Sequence, residues 1–305
     1  MSGITNTKFG KNKTFVEIER CDELTSTEAH ALSEITGEQV TRTLMDMKPR
    51  PMCHATDTDI LLVLRGVNLN PNSDPEDMIA VRAWISDDKI VVSQRRPVVS
   101  VDAVQGRLNT IKTPVEAMLS ITDEMFDRIE RYIFELDEAV DAAEDKALAD
   151  PNKKQRLEIL EFRRSVIALR RYLLPQRESM MTLSRSKSKL LNQDDIQIIT
   201  DQYFRSARIT DQLDALRERL SLIQEEITAI ISDQINQNMY VLSIISLIFL
   251  PLGFLTGLFG INVGGMPAVA GGGSPYEPYA FWLVVAGCVI TAVTIAVVMR
   301  IKKWI

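Results

Sequence analysis

The sequence predicts an α+β membrane protein: a cytosolic α/β domain, a long helical stalk and two C-terminal transmembrane helices. Three observations carry that prediction. Residues 239–259 contain no charged side chain, about the length a helix needs to cross a bilayer core of ~30 Å at 1.5 Å per residue. A second uncharged run, residues 280–299, follows a loop rich in Gly and Pro. The charged residues, 25% of the chain, are concentrated before residue 234.

Compartment and orientation follow from charge and composition. Met1 to Asp22 has no continuous apolar stretch, so no secretory signal is expected there. Cys21, Cys53 and Cys288 follow no metal or disulfide spacing and are expected as free thiols of a reducing compartment. Residues 259–279 contain no Lys or Arg, whereas Arg300, Lys302 and Lys303 directly follow the second run. Positive flanks stay in the cytoplasm, which puts the C-terminus inside and, with two spans, the N-terminal domain inside as well. Tyr240, Tyr276, Tyr279, Trp282 and Trp304 fall near the span ends, where amphipathic rings favour the interface.

The expected domains are 1–113, an α/β domain; 114–192, its helical part; and 193–238, the stalk portion of one long helix. Then come 239–259, the first span; 260–279, an outer loop; 280–299, the second span; and 300–305, a basic tail. In the first domain Thr14–Ile18 reads as a strand, and Thr25 with Glu28 as the capping box of a helix to about Ile35. Pro49 and Pro51 interrupt any regular element. Ile60–Leu64 is a short apolar run suited to a buried strand. Met78–Ile85 and Ile90–Ser93 flank Ser86-Asp87-Asp88-Lys89 as a hairpin. Pro114 suits the first turn of a helix.

Two helical stretches of opposite charge follow. Residues 122–150 hold eleven acids and three bases; residues 151–191 hold eleven bases and three acids. They read as an antiparallel pair whose charged faces are solvated or matched to one another; the second reading is that the acidic helix also senses cations or faces the basic tail at Arg300, Lys302 and Lys303. From Gln176 to Leu250 there is neither Pro nor Gly, and Gln193-Asp194-Asp195 starts one helix that runs into the first span. Leu213, Leu216, Leu220, Ile223, Ile227 and Ile230 recur every three or four residues, the 3.5 average of a supercoiled seam. That stripe either packs on its own domain or joins copies of the chain; the oligomer is the preferred reading. Asp211, Asp214, Glu218, Glu225, Glu226 and Asp233 on this helix are candidate metal ligands, set against the plainer reading of a solvated face. Adjacent Cys53-His54 is not a zinc spacing.

The end of the first span carries a resemblance. Gly260-Ile261-Asn262, within the string Phe254–Pro267, resembles the Gly-x-Asn signature of the CorA superfamily of divalent metal-ion transporters. Its details are similar to the zinc-transporter, ZntB-like branch, as are Leu169–Arg177 and Met299–Ile305. The resemblance covers about Ile60 to Ile305. It implies a homopentameric funnel in a cytoplasmic membrane, with the first span of each copy lining a pore. It also implies an ion-facing entrance at Gly260, Ile261 and Asn262. Asn236, Met239, Leu242, Ser246, Leu250, Gly253 and Gly257 match the pore-facing positions of the family residue by residue. They also share one helix face by spacing. Gly253 and Gly257 have a second reading, a small-xxx-small helix contact. Gly260 suits a left-handed turn that ends the helix, and Pro251 frees a carbonyl near position 247 for Ser246 or a neighbouring subunit to tune.

The expected function is a divalent metal-ion transporter passing a hydrated or partly hydrated cation, zinc first, with a possible link to protons. The spans hold no Asp, Glu or His, so a proton relay inside the membrane is not expected. The alternatives are a channel for Mg2+, Co2+ or Ni2+ and a membrane-anchored coiled-coil scaffold without transport. No phosphate-binding loop or nucleophile elbow is present, so no enzyme is expected. The expected partners are copies of itself, lipid and divalent cations, with no nucleic acid and no resident cofactor.

Overall fold

The computed structural model describes residues 4–10, 13–260 and 277–302. They divide into two compact units, Met1–Ile227 and Thr228–Ile305.

The first unit is built on a six-stranded sheet in the order β1-β2-β6-β5-β4-β3. The strands are β1 Ile4–Phe9, β2 Lys13–Ile18, β3 Met52–Ala55, β4 Ile60–Gly66, β5 Ile79–Ile85 and β6 Lys89–Gln94. All neighbours are antiparallel except β2 and β6. The hairpin expected around Ser86–Lys89 forms, with Ser86 N–H donating to Lys89 O at 2.8 Å. Two strands were not expected. β1 is an edge strand with mostly solvated side chains. β3 starts directly after Pro51 and is an edge strand too, where a proline costs no central ladder bond. Gly10, at φ 51, follows β1; a Cβ there would lie 2.7 Å from Lys112 O, so only glycine fits.

Helices cover both faces of the sheet. On one, α1 (Ser26–Thr36) and α2 (Glu38–Leu44) supply Leu32 and Leu44 to a core with Val16, Ile18, Leu61, Trp84 and Val91. The predicted capping box starts α1: Glu28 N–H donates to Thr25 Oγ1 and Thr25 N–H to Glu28 Oε2 at 3.0 Å. After a short helix α3 (Val99–Gln105), α4 (Pro114–Ala149) starts at the expected proline, capped by Thr113. Its Met118, Ile121 and Met125 meet Leu62, Leu64, Val81 and Ala83 of the other face, leaving a void of only about 10 Å³.

Helix α5 (Lys153–Ser184) follows, then α6 (Gln193–Gly260) and α7 (Glu277–Ile301). The charged helices are not matched as a pair. The acids of α4 go to α6: Arg205 binds Asp123 at 2.9 Å, Glu130 at 2.7 Å and Asp127. Arg219 binds Asp141 at 2.5 Å and Glu144. The bases of α5 also go to α6, where Arg170 meets Asp214 and Arg177 meets Asp211. Helix α6 carries both signs and is therefore the counter-charge to both neighbours. The Leu213–Ile227 stripe is likewise spent inside the chain, each of its five members being at most 5% exposed. The own-domain reading describes these residues; Ile230 alone is only half-buried.

Candidate functional site

In the second unit every side chain at the seven predicted pore-facing positions of α6 is exposed: Asn236, Met239, Leu242, Ser246, Leu250, Gly253 and Gly257. Leu250 is the extreme at 77%. The half-covered residues of the same stretch are Ile244, Ile248, Leu252 and Leu255, four or three apart, with Pro251 beside them. At 3.6 residues per turn the two sets lie about 180° from one another on the helix. Helix α7 shows a matching stripe, with Val284, Cys288, Thr291 and Ile295 half-covered and Met299 buried. The predicted face is open, but so are Tyr240, Val241, Ile245, Leu247, Phe249 and Phe254 on other sides of the helix, so exposure agrees with the predicted face without singling it out.

That face offers little ligand chemistry of its own. Ser246 Oγ donates to Leu242 O at 2.9 Å and Ser243 Oγ to Met239 O at 2.8 Å. Both hydroxyls thus spend their proton on their own helix and present lone pairs outward. Ser246 does not serve the carbonyl at 247 freed by Pro251, because its nearest acceptor lies four residues back, not one ahead. A Cβ at Gly253 or Gly257 would meet nothing within 4 Å, so among the described residues they make no close helix contact. Gly260 is the last residue of α6 and keeps a helical rather than a left-handed φ; the helix carries through it at the ~1 kcal/mol that glycine costs against alanine. Ile261 and Asn262 lie outside the described residues.

The acidic candidates are dispersed. Asp211 and Asp214 are held by Arg177 and Arg170, and Glu218, Glu225, Glu226 and Asp233 are exposed. Among the described residues no group of three or more His, Cys, Asp or Glu is arranged to hold a metal. Cys53 and His54 are neighbours on β3 and so point to opposite faces of the sheet; burial pushes the Cys53 thiol up to about 12, away from the thiolate that zinc needs. A cleft of about 860 Å³ lies between α4 and α6, beside Glu130, Phe134, Asp137 and Arg219. Its carboxylates are those already bound by Arg205 and Arg219.

Sequence reasoning missed that charge ladder. Its signal was present: Asp123, Asp127 and Glu130 recur fourteen residues later as Asp137, Asp141 and Glu144, and Arg205 recurs as Arg219. A shared spacing of four 3.5-residue turns keeps two parallel helices in step.

The exposed face, its position on a helix that ends in Gly260, and the apolar hairpin are the features against which known proteins can be compared. The family model described as CorA-like Mg2+ transporter protein matches residues 19–303. The chain belongs to this family. The match begins at residue 19, well before Ile60, so α1, α2 and β3 fall within the matched region, whereas β1 and β2 precede it. "Zinc transport protein ZntB" of Pectobacterium carotovorum subsp. carotovorum is 31% identical over 274 residues, covering 89% of this chain and 82% of the relative. "Divalent cation transporter CmaX" of Pseudomonas aeruginosa is 34% identical over 248 residues, 79% of this chain and 72% of the relative. These relatives support the ZntB-like branch. Among solved structures, full-length CmaX aligns with a TM-score of 0.78 at 30% identity, covering 96% of this chain and 89% of that one. The CorA magnesium transporter of Methanocaldococcus jannaschii aligns at 0.80 with 17% identity over 100% and 99%, a likeness of fold alone. The expected architecture of α/β domain, long helix and C-terminal apolar helices is borne out.

Proposed function

We propose that the chain is a divalent metal-ion transporter of the cytoplasmic membrane, with zinc as its first cargo. It works as a homo-oligomer, five copies by family resemblance. The face bearing Asn236, Met239, Leu242, Ser246, Leu250, Gly253 and Gly257 of each copy lines a central path. The observation that carries this reading is that all seven positions are exposed, those from Ser246 on lying opposite the half-covered stripe of Ile244, Ile248, Leu252 and Leu255. An isolated hairpin encloses no polar path, so a path needs further copies against that open face. The relatives named for zinc and divalent cations support the cargo.

Transport proceeds without inner-sphere protein ligands. The lone pairs of Ser246 and the amide of Asn236 are neutral acceptors suited to the water shell of a hydrated ion. Met239, Leu242 and Leu250 form apolar rings between them, and such rings gate by dewetting. At the outer end Gly260, Ile261 and Asn262 form the entrance, where the C-terminal end of the helix dipole adds partial negative charge. The cation is cargo, not a resident cofactor. Both termini are cytosolic, with Arg300 and Lys302 on the positive-inside flank of α7. Any proton coupling acts outside the spans, which hold no titratable carboxylate or imidazole.

A second reading, conduction of Mg2+, Co2+ or Ni2+, is favoured by the family description itself. The acids Asp211, Asp214, Glu218, Glu225, Glu226 and Asp233 would then be its cytosolic metal sensors. The test is uptake into proteoliposomes containing a zinc-sensitive dye, run beside Mg2+ and Co2+, with and without a pH gradient. Zinc entry that falls at least tenfold in Asn262→Ala supports the proposal. Mg2+ entry without zinc moves the second reading to first place. No flux of any metal from an assembled oligomer leaves a membrane-anchored scaffold.

A further inference from the structure

A cleft of about 280 Å³ opens on the sheet of the first unit, among β4, β5, the Met47–Lys48 segment and α5. Six of its lining residues are basic: Lys48, Arg65, Arg82, Arg95, Arg96 and Arg171. Asp77 is its one acid. Arg96 is paired with Asp77 at 3.2 Å and Arg95 with Asp22 at 3.0 Å. Among the described residues the other four have no carboxylate partner within ion-pair distance.

Two of those four are deeply buried. Arg65 is 8% and Arg82 1% exposed. Their guanidinium groups find only backbone carbonyls. Arg65 donates to Met78 O at 2.6 Å and Pro49 O at 3.1 Å. Arg82 donates to Asp46 O and, at 3.4 Å, to Ala80 O. Arg82 Nε is buried with no acceptor. Arg65 and the exposed Arg171 both lean on the Tyr172 ring, 4.1 and 5.5 Å from its centroid, which gathers two cations at one wall. Burial depresses the pKa of both buried guanidinium groups; the more distant charges of Asp77 and Asp46 on Arg65, and of Asp46 and Asp22 on Arg82, offset it only in part, and the like charges of Arg171 on Arg65 and Arg65 on Arg82 add to it.

This arrangement is costly unless something compensates it. A buried charge needs a counter-charge as well as dipoles. The same sheet face is apolar two residues further along each strand, at Leu61 and Trp84, paired in register just as Val63 is with Arg82. Clamping the 46–49 segment explains the carbonyl bonds of Arg65. It does not explain the unused Nε of Arg82 or the convergence of Lys48 and Arg171. Planar guanidinium forks match the paired oxygens of a phosphate.

We infer that this cleft binds a small phosphate-bearing anion, held by Arg65, Arg82, Arg171 and Lys48. The site lies in the soluble unit and does not depend on the transport reading.

The test uses the full-length protein in detergent with EDTA present, so that no anion acts by chelating a transported metal. Thermal unfolding and titration calorimetry are followed with inorganic pyrophosphate, with metal-free ATP, and with sodium chloride at matched ionic strength. Pyrophosphate is expected to raise the Tm saturably, by several degrees at about a hundredfold excess over its Kd. Arg171→Ala, an exposed change that leaves the fold intact, weakens binding about ten- to a hundredfold. Arg82→Met removes the response while keeping the chain's length and packing. ATP binding more tightly than pyrophosphate identifies a nucleotide as the source; equal or weaker binding identifies the free anion. The inference is overturned by an equal rise with chloride, by no saturable rise with pyrophosphate or ATP, or by an Arg171→Ala protein that responds as the parent does.

Discussion

Helix α6 serves two regions in opposite ways. Between Leu213 and Ile227 its apolar stripe is almost wholly covered by the chain itself, and its charges are matched to α4 and α5. Between Asn236 and Gly257 one face has no cover at all. The first region is finished within one chain. The second presents an open, mostly neutral face that lipid or further copies of the chain must cover. A single helix can therefore anchor a self-sufficient domain and still leave its far end for assembly.

Removing core from the finished region should have the largest effect. Phe126 is fully buried on α4, and Phe126→Ala should cost about 3–5 kcal/mol in denaturant unfolding. Leu250→Ala should leave stability within ~0.5 kcal/mol and change metal flux instead. Comparable stability losses at both positions would erase the contrast.

Arg205→Ala should cost about 2 kcal/mol, because three carboxylates of α4 would be left facing one another without their shared cation. The deficit should shrink in acid as Asp123, whose carboxyl is pushed up by burial and then by the Asp127 charge, takes up its proton. A loss below ~0.5 kcal/mol, read from the same unfolding curves, would make the ladder a surface ornament with no part in completing the first region.

An effect no larger is expected from Glu17 on β2. Burial, then the charges of Glu19 and Asp102, push its carboxyl up to about 6 from 4.5. Since the folded state holds this proton more tightly, its stabilising contribution is complete below pH 4.5 and is lost as pH rises through 6. Glu17→Gln should therefore gain about 2 kcal/mol on the parent between pH 4 and pH 7. A pH-independent difference would show that the carboxyl titrates alike in both states.

The legible parts of the molecule were those with local signals. The Thr25–Glu28 box, Pro114 at a helix start, the hairpin at Ser86–Lys89 and the charge-free spans each declare themselves within a few residues. Strands β1 and β3 did not, because an edge strand has half its side chains in water and needs no apolar run. The partner of the acidic helix was misread because net charge points to the nearest opposite charge in sequence. The actual counter-charges, Arg205 and Arg219, lie some 75 residues away from the carboxylates they bind. Arg65 and Arg82 left no trace, since a buried arginine in a strand looks like any other until its neighbours are known. The seven pore-facing positions were proposed from spacing and family resemblance; the structure adds that all seven are exposed.

The central claim is that the exposed face of α6, and not the covered one, borders the path of the cation. The most direct test places a single cysteine at Ser246 or at Ile248 in a protein whose Cys21, Cys53 and Cys288 are serine. Metal flux into proteoliposomes is then followed while a charged, membrane-impermeant thiol reagent is added. Flux should be blocked in Ser246→Cys and unaffected in Ile248→Cys. Equal block at both positions, or block at Ile248→Cys alone, would contradict the assignment of the path to this face.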